Sequence, residues 1–282
     1  MRFHKWQALG NDYIIVEREA LPFALTPPRI QRLCDMHRGI GADGILELAP
    51  PDAAGFVARL RILNPDGSEA ELSGNGAREA VLYLRRAGWT DQSQFSIQTA
   101  AGEIRPTIHP DGTCTLDMGR ARLQSADFPG GDADGLGTLR AGGRTWTFQH
   151  AQVGNPQCAI HVTGADELEA LDLPAVGPAI EHHPDFPNRT NVSFFRALAP
   201  DRIRARIFER GVGETSASGT GACGAAIAHV LRGGDSPVTV ELDGGVLTVD
   251  VDESLHFTLT GWAVPVYSGE ASPELLADLA AL

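Results

Sequence analysis

One short stretch occurs twice in the 282-residue chain, and that repeat constrains the fold more than any other feature. The first copy is Ser73-Gly74-Asn75-Gly76-Ala77, followed by the apolar run Glu79 to Leu84. The second is Ser218-Gly219-Thr220-Gly221-Ala222, followed by Ala225 to Leu231. A glycine turn feeding a helix leaves several backbone N–H groups unpaired at the positive end of the helix dipole, which suits a carboxylate or phosphate. Other pairs keep the spacing. Gly154-Asn155 follows Gly10-Asn11 by 144 residues (154 − 10), and Ser218 follows Ser73 by 145 (218 − 73). Asn64 and Glu209 each stand nine residues before their serine, and Glu69 and Glu214 each stand four before it. The sequence therefore encodes two similar halves.

Around the turns, each half reads as short strands bounded by turn residues. Candidates in the first half are Phe3 to Leu9, Tyr13 to Val16, Ile45 to Leu48, Val57 to Leu63 and Phe95 to Thr99, with two more about Pro110-Asp111-Gly112. Pro27 to His37 predicts a helix with Thr26 as N-cap and Ile30, Leu33 and Cys34 on one face. The helix after the first glycine turn is apolar at Ala80, Val81, Leu82, Leu84 and Ala87, and the second is apolar almost all round. Helices of that kind belong inside. The expected class is α+β: two pseudosymmetric domains, each a curved, mostly antiparallel sheet wrapped around a central helix. Gln124 to Arg144 is rich in Gly, Asp and Ser and reads as a linker, to which Leu136 and Leu139 could add a small strand. A cleft between the halves, with both helix starts pointing in, would suit a small zwitterionic amino acid.

Composition excludes other partners. A net charge of −13 argues against nucleic acid and against an anionic membrane surface. No run approaches 18 apolar residues, and the start of the chain has no signal-peptide pattern, so the cytoplasm is the expected location. Cys34, Cys114, Cys158 and Cys223 lack CxxC spacing, which predicts buried thiols rather than a metal site or disulfides.

Many motifs in order carry a resemblance: Gly10-Asn11-Asp12, Gly39-Ile40-Gly41-Ala42-Asp43-Gly44, Asn64-Pro65-Asp66-Gly67-Ser68, Gly74-Asn75-Gly76-Ala77-Arg78, Gly154-Asn155-Pro156, Asn191-Val192, Glu209-Arg210-Gly211 and Gly213-Glu214-Thr215. The chain resembles the diaminopimelate epimerases, a family of cofactor-independent amino-acid epimerases, over essentially its whole length. The resemblance implies a homodimer, no cofactor, and a last strand that crosses back to the first domain. The domains would then be residues 1–120 plus about 263–282, and residues 121–262. It also implies that backbone N–H groups of Gly74, Asn75, Gly219 and Thr220 hold the α-carboxylate, while Asn11, Asn64, Asn155 and Asn191 line the cleft. Arg210 would pair with a distal carboxylate, and Glu209 would take an ammonium.

In that family a cysteine opens each glycine turn; one thiolate takes the α-proton and the other thiol returns one. Here both positions are serine, and Gln157 stands where the family usually has histidine. A thiol has a pKa near ~8.5, and an alkyl hydroxyl resembles water at about 15.7. The gap of roughly 7 units corresponds to about 10 kcal/mol. A serine therefore needs a positioned base. Among titratable groups near the motifs, Glu209 is the candidate, with Ser73 and Ser218 as the hydroxyls at the reacting carbon; Glu69 and Glu214 read as holders of their turns. His182-His183 reads as a solvated loop. The alternatives are a divergent isomerase, cyclase or lyase using a carboxylate base in the same cleft, and a non-catalytic amino-acid-binding protein.

Overall fold

The computed structural model of the chain describes residues 1–70 and 73–282. The architecture is α+β, with two compact β-rich units: Met1–Leu116 with Gly261–Leu282, and Asp117–Thr260.

In the first unit, the apolar run Tyr13 to Val16 is buried within the strand Asn11–Glu17, as aromatic and β-branched residues favour. Gly10 takes φ 87°, a left-handed conformation open to glycine, and so lets this strand turn back on Arg2–Ala8. The sheet order is Val264–Glu270, Arg2–Ala8, Asn11–Glu17, Ile45–Ala49, Ala58–Leu63, Ile97–Thr99 and Gly102–Ile104, with Glu69–Ala70 also beside Ala58–Leu63. Among the described residues, Asn11–Glu17 is parallel to Ile45–Ala49 and Ala58–Leu63 is parallel to Ile97–Thr99. A parallel pair needs a crossover connection. The first crossover carries the helix Pro27–Cys34, and the second carries Gly74–Arg86.

Pro27–Cys34 buries Ile30, Leu33 and Cys34 against Phe3, Ile14, Ile45 and Leu63. It stops short of His37 because the Asp35 carboxylate accepts from the His37 and Arg38 amides at 2.9 and 2.8 Å and turns the chain. Thr26 occupies the N-cap position, but its hydroxyl makes no capping bond. Gly74–Arg86 packs on the strands Arg2–Ala8, Asn11–Glu17, Ile45–Ala49 and Val264–Glu270. Its buried residues include Arg78 and Glu79, both 0% exposed, which its apolar pattern does not predict. The last helix, Pro273–Ala281, is capped by Ser272, and its Leu279 joins the same core.

The second unit repeats the scheme. Its sheet runs Leu136–Ala141, Arg144–Gln152, Pro156–His161, Asn191–Ala199, Arg202–Glu209, Val238–Leu242, Gly245–Val251 and His256–Gly261, with Gly213–Thr215 beside Arg202–Glu209. The parallel pairs are Pro156–His161 with Asn191–Ala199, and Arg202–Glu209 with Val238–Leu242. Between the last two lies the helix Gly219–Leu231, buried on nearly every side by six of these strands.

Gln124 to Arg144 is not a linker. Leu136–Ala141 pairs with Arg144–Gln152, and Phe128 packs its ring 5.2 Å from Phe148 and 5.5 Å from Phe186. Two large apolar residues, Phe128 and Leu139, anchor this glycine-rich stretch in the core of the unit. No helix among the described residues is long and apolar enough to cross a membrane.

Candidate active site

In the first unit, Ser73 is the N-cap of Gly74–Arg86, with extended φ −131° and ψ 122°. Its Oγ accepts from the Gly76 amide at 3.1 Å, and its carbonyl accepts from Ala77 at 2.8 Å. The Gly74 and Asn75 amides precede the first intrahelical bond, and none of the backbone hydrogen bonds among the described residues engages them, as suits an anion. A polar chain braces this helix start. Arg78 donates to the Gly74 carbonyl at 3.0 Å and to Asn75 Oδ1 at 2.6 Å. Asn75 Nδ2 donates to Asn11 Oδ1 at 3.2 Å, and Asn11 Nδ2 donates to Asp43 Oδ2 at 2.9 Å. Behind it, the buried Lys5 pairs with Asp12 at 2.9 Å and donates to the Gly41 carbonyl. Asn64, by contrast, is held in its own turn, donating from Nδ2 to Ser68 Oγ at 2.9 Å.

In the second unit, Ser218 is the N-cap of Gly219–Leu231 with φ −136° and ψ 124°, and its Oγ accepts from Gly221 at 3.2 Å. Gly219 and Thr220 have the same place as Gly74 and Asn75. Asn155 Nδ2 donates to Thr220 Oγ1 at 3.2 Å, and Gln157 Nε2 donates to Asn155 Oδ1 at 2.6 Å. Gln157 is fully buried against Gly224, where an added Cβ would lie 2.8 Å from the Gln157 side chain. Asn191 Oδ1 accepts from the Arg210 amide at 2.8 Å, while its buried Nδ2 has no partner among the described residues. The Arg210 guanidinium donates to the Asn188 carbonyl at 3.0 Å.

Glu209 is the titratable group beside Ser218. Burial raises its carboxyl above the usual range, while the nearby Thr215 and Ser218 hydroxyls act in the opposite direction. The turn that carries it is fixed by the buried Glu181, which accepts from the Gly211 amide at 2.8 Å and from Arg189 at 3.2 Å. Glu69 and Glu214 hold their turns in like fashion: Arg61 pairs with Glu69 at 2.9 Å, and Arg206 pairs with Glu214 at 2.6 Å.

Sequence reasoning overlooked Tyr13, Asp43, Arg78, Glu79 and Glu181. Tyr13 is 6% exposed, and its hydroxyl donates to Ser73 Oγ at 3.2 Å. The signal that could have found it is its place three residues after Gly10, where Gln157 stands three after Gly154. Glu79 is buried, and neither of its carboxylate oxygens has a hydrogen-bond partner among the described residues. Burial raises its pKa well above the ordinary value; nearby Arg78 acts in the other direction. The four cysteines are buried, and burial pushes the Cys34 and Cys114 thiols up to about 12, so neither is a nucleophile at neutral pH. His182 is exposed, but it caps the helix Leu173–Glu181 rather than lying in a loop, and His183 is half-buried with Nδ1 3.3 Å from Asp185.

With this geometry in view, known proteins are informative. A family profile described as diaminopimelate epimerase matches residues 3–124 and 150–271. The diaminopimelate epimerase of Synechococcus sp. (strain JA-3-3Ab) is 43% identical over 279 residues, covering 95% of this chain and 97% of that protein. That of Synechocystis sp. (strain ATCC 27184 / PCC 6803 / Kazusa) is 40% identical, covering 96% and 99%. Among solved structures, a phenazine biosynthesis protein of the PhzF family from Bacillus anthracis superposes with a TM-score of 0.68 at 19% identity, over 96% of this chain and 99% of that one. A probable proline racemase from Agrobacterium radiobacter K84 gives 0.68 at 16% identity, over 98% and 95%. At such identities the likeness speaks to fold alone.

Proposed function

The chain belongs to the diaminopimelate epimerase family of isomerases, and from that premise we propose that it acts at the α-carbon of a diaminopimelate-like amino acid without a pyridoxal cofactor. The observation that carries this reading is the pair of serine-capped helix starts, alike in backbone angles and in capping bond. In this reading both serve one substrate. The amides of Gly74, Asn75, Gly219 and Thr220 hold its α-carboxylate, with Asn11, Asn64, Asn155 and Asn191 around it. Glu209 and Arg210 meet the ammonium and the distal acid. Holding the carboxylate against helix starts stabilises the negative charge that develops when the α-proton leaves.

Serine in place of thiol makes the reaction slow. The buried Glu209 carboxyl responds to the Ser218 hydroxyl, which supports proton transfer through a hydroxyl and also supports a second reading, a carboxylate-based isomerisation of a related substrate. A cytoplasmic homodimer belongs to the same reading. The edge strand Val264–Glu270 leaves Val264, Val266 and Tyr267 41%, 55% and 47% exposed, and sedimentation measures the assembly.

Deuterium uptake at Cα of diaminopimelate in heavy water tests the proposal. Slow exchange is expected from the chain as it stands, rising at least ~100-fold in the Ser73→Cys, Ser218→Cys double variant. Silence from both proteins would remove the epimerase reading; exchange into a different carbon acid alone would favour the second.

A further inference from the structure

Arg210 is held from two directions, both inside the second unit. Its backbone amide donates to Asn191 Oδ1 at 2.8 Å, and Nη1 of its side chain donates to the Asn188 carbonyl at 3.0 Å. The first bond fixes the chain; the second aims the guanidinium. That group is planar and its donors keep a fixed fork geometry, so one bond on Nη1 sets where the rest of the fork faces. A long side chain without such a bond samples many rotamers, and ordering it around a ligand costs affinity. The placing of the Asn188 carbonyl therefore matters to whatever Arg210 binds.

Asn188 is exposed, between the helix Leu173–Glu181 and the strand Asn191–Ala199. Its side chain reaches back 61 residues, donating from Nδ2 to Asp127 Oδ1 at 2.8 Å. Asp127 is in turn fixed to the sheet. Its Oδ2 accepts from Gln152 Nε2, its amide donates to Ser125 Oγ at 3.1 Å, and that oxygen lies 2.9 Å from His150 Nε2. Gln152 and His150 are buried in the strand Arg144–Gln152, so the link runs from a sheet to an exposed turn. Both Asp127 oxygens face amides, so Asp127 steadies the fork without neutralising it. The turn has backbone bonds of its own, from Arg189 N to the Phe186 carbonyl at 2.9 Å and from Thr190 N to the Glu181 carbonyl at 3.3 Å. Those keep its shape; the bond to Asp127 fixes which way the Asn188 peptide faces.

We propose that Asp127 is a positioning residue for Arg210: through Asn188 it presents the guanidinium already oriented toward a ligand's second carboxylate, and so sets the preference for a dicarboxylic over a monocarboxylic amino acid. This rests on the assignment of Arg210 to the distal acid made above. The role is one of binding, and no proton or bond changes hands in it. Pre-orientation acts by lowering the ordering cost of the Arg210 side chain, so its effect exists only while that side chain is there to be ordered. A residue that merely held the unit together would act on every ligand alike.

The test is a double-mutant cycle read by calorimetric titration with diaminopimelate and with 2-aminoheptanoate, a chain of equal length without the distal acid. Asp127→Ala should weaken binding of diaminopimelate ~5-fold, leave 2-aminoheptanoate unchanged, and add less than ~2-fold to the loss in an Arg210→Ala background. Asp127→Asn is the conservative variant. It keeps an Oδ1 acceptor for Asn188, and Gln152 can turn its amide so that Oε1, buried without a partner among the described residues, meets the new Nδ2. Its affinity should stay within ~2-fold of the parent. Asn188→Ala, which keeps the carbonyl and loses Nδ2, should reproduce Asp127→Ala and carries the test if that variant does not fold. Equal losses with and without the Arg210 side chain, or for both ligands, would mark Asp127 as structural and overturn the proposal. Unchanged affinity in Asp127→Ala and Asn188→Ala would do the same, as would a loss in Asp127→Asn as large as in Asp127→Ala. If Arg210→Ala weakens diaminopimelate binding while Asp127→Ala does not, this proposal alone falls. If Arg210→Ala has no effect, or the unaltered chain does not bind diaminopimelate, the assignment of Arg210 falls with it.

Discussion

Asp43 holds Asn11. Its Oδ2 accepts from Asn11 Nδ2 at 2.9 Å and from the Asp12 amide at 3.1 Å, so the Gly39–Gly44 loop sets the direction in which Asn11 presents its amide. Asn11 in turn accepts from Asn75, the second residue of the helix start proposed to bind the α-carboxylate. A hydrogen bond to a charged group contributes about 1.5–3 kcal/mol. Asp43→Ala should therefore weaken binding of diaminopimelate by roughly 10–100-fold. The same two bonds hold the folded loop, so the melting temperature should also fall by a few degrees, while the backbone bond from Asp43 N to the Asp12 carbonyl, 3.0 Å, keeps the loop in place. Calorimetric titration beside a thermal melt checks both.

Glu79 is a liability for stability rather than a catalytic group. Its carboxyl is buried without a hydrogen bond among the described residues, and burial lifts its pKa well above that of an unfolded glutamate. The folded state then keeps a proton that the unfolded state releases above about pH 4.3, so this group's contribution is favourable at low pH and is lost as pH rises toward its folded value. Glu79→Leu, of similar size and good helix propensity, should raise the unfolding free energy at pH 7 by about 1–3 kcal/mol. It should also flatten the fall in stability as pH rises above the ordinary glutamate range toward the raised folded value. Urea unfolding at several pH values measures both effects.

What the sequence made legible was local. The glycine turns and the helices after them follow from residues a few positions apart, and Ser73 and Ser218 as N-caps follow from the same spacing. The partners of those serines were less accessible. Tyr13 reaches Ser73 across 60 residues of chain only because Asn11–Glu17 and the helix Gly74–Arg86 pack together, and Asp43 reaches Asn11 across 32. Such meetings depend on sheet register, which no local pattern prints. Glu79 misleads in another way: a charge inside an apolar helix reads as an exposed position, yet here the helix is enclosed on that side too. Phe128 was hidden by composition, one aromatic among glycines and aspartates that nonetheless anchors its strand pair.

Arg210 presents its guanidinium with a single backbone partner, the Asn188 carbonyl, among the hydrogen bonds of the described residues. Its backbone is fixed independently, through Asn191, so truncating the side chain leaves the turn in place. Arg210→Ala should raise KM for diaminopimelate by about 10-fold or more, as expected for loss of a charge-assisted contact. Binding of an amino acid with no distal carboxylate should be unchanged. Competition between the two ligands in the exchange assay separates these outcomes.

In the proposed reaction Glu209 would set the dependence on pH. A carboxylate base there would work only when ionised, and burial raises the Glu209 pKa above that of a free glutamate, the Thr215 and Ser218 hydroxyls opposing. The exchange rate should therefore be highest well above that raised value and fall as pH drops through it, tenfold per unit below. Glu209→Gln removes the acceptor and should lower the rate by about 100-fold or more while abolishing this acid limb. Stability runs the other way. The folded state holds the Glu209 proton more tightly than the unfolded chain, so ionising the group at neutral pH costs stability, and Glu209→Gln should melt at or above the parent temperature at pH 7. A variant that loses exchange while gaining thermal stability would identify Glu209 as a group kept for its chemistry; one that melts lower and keeps the acid limb would place the base elsewhere.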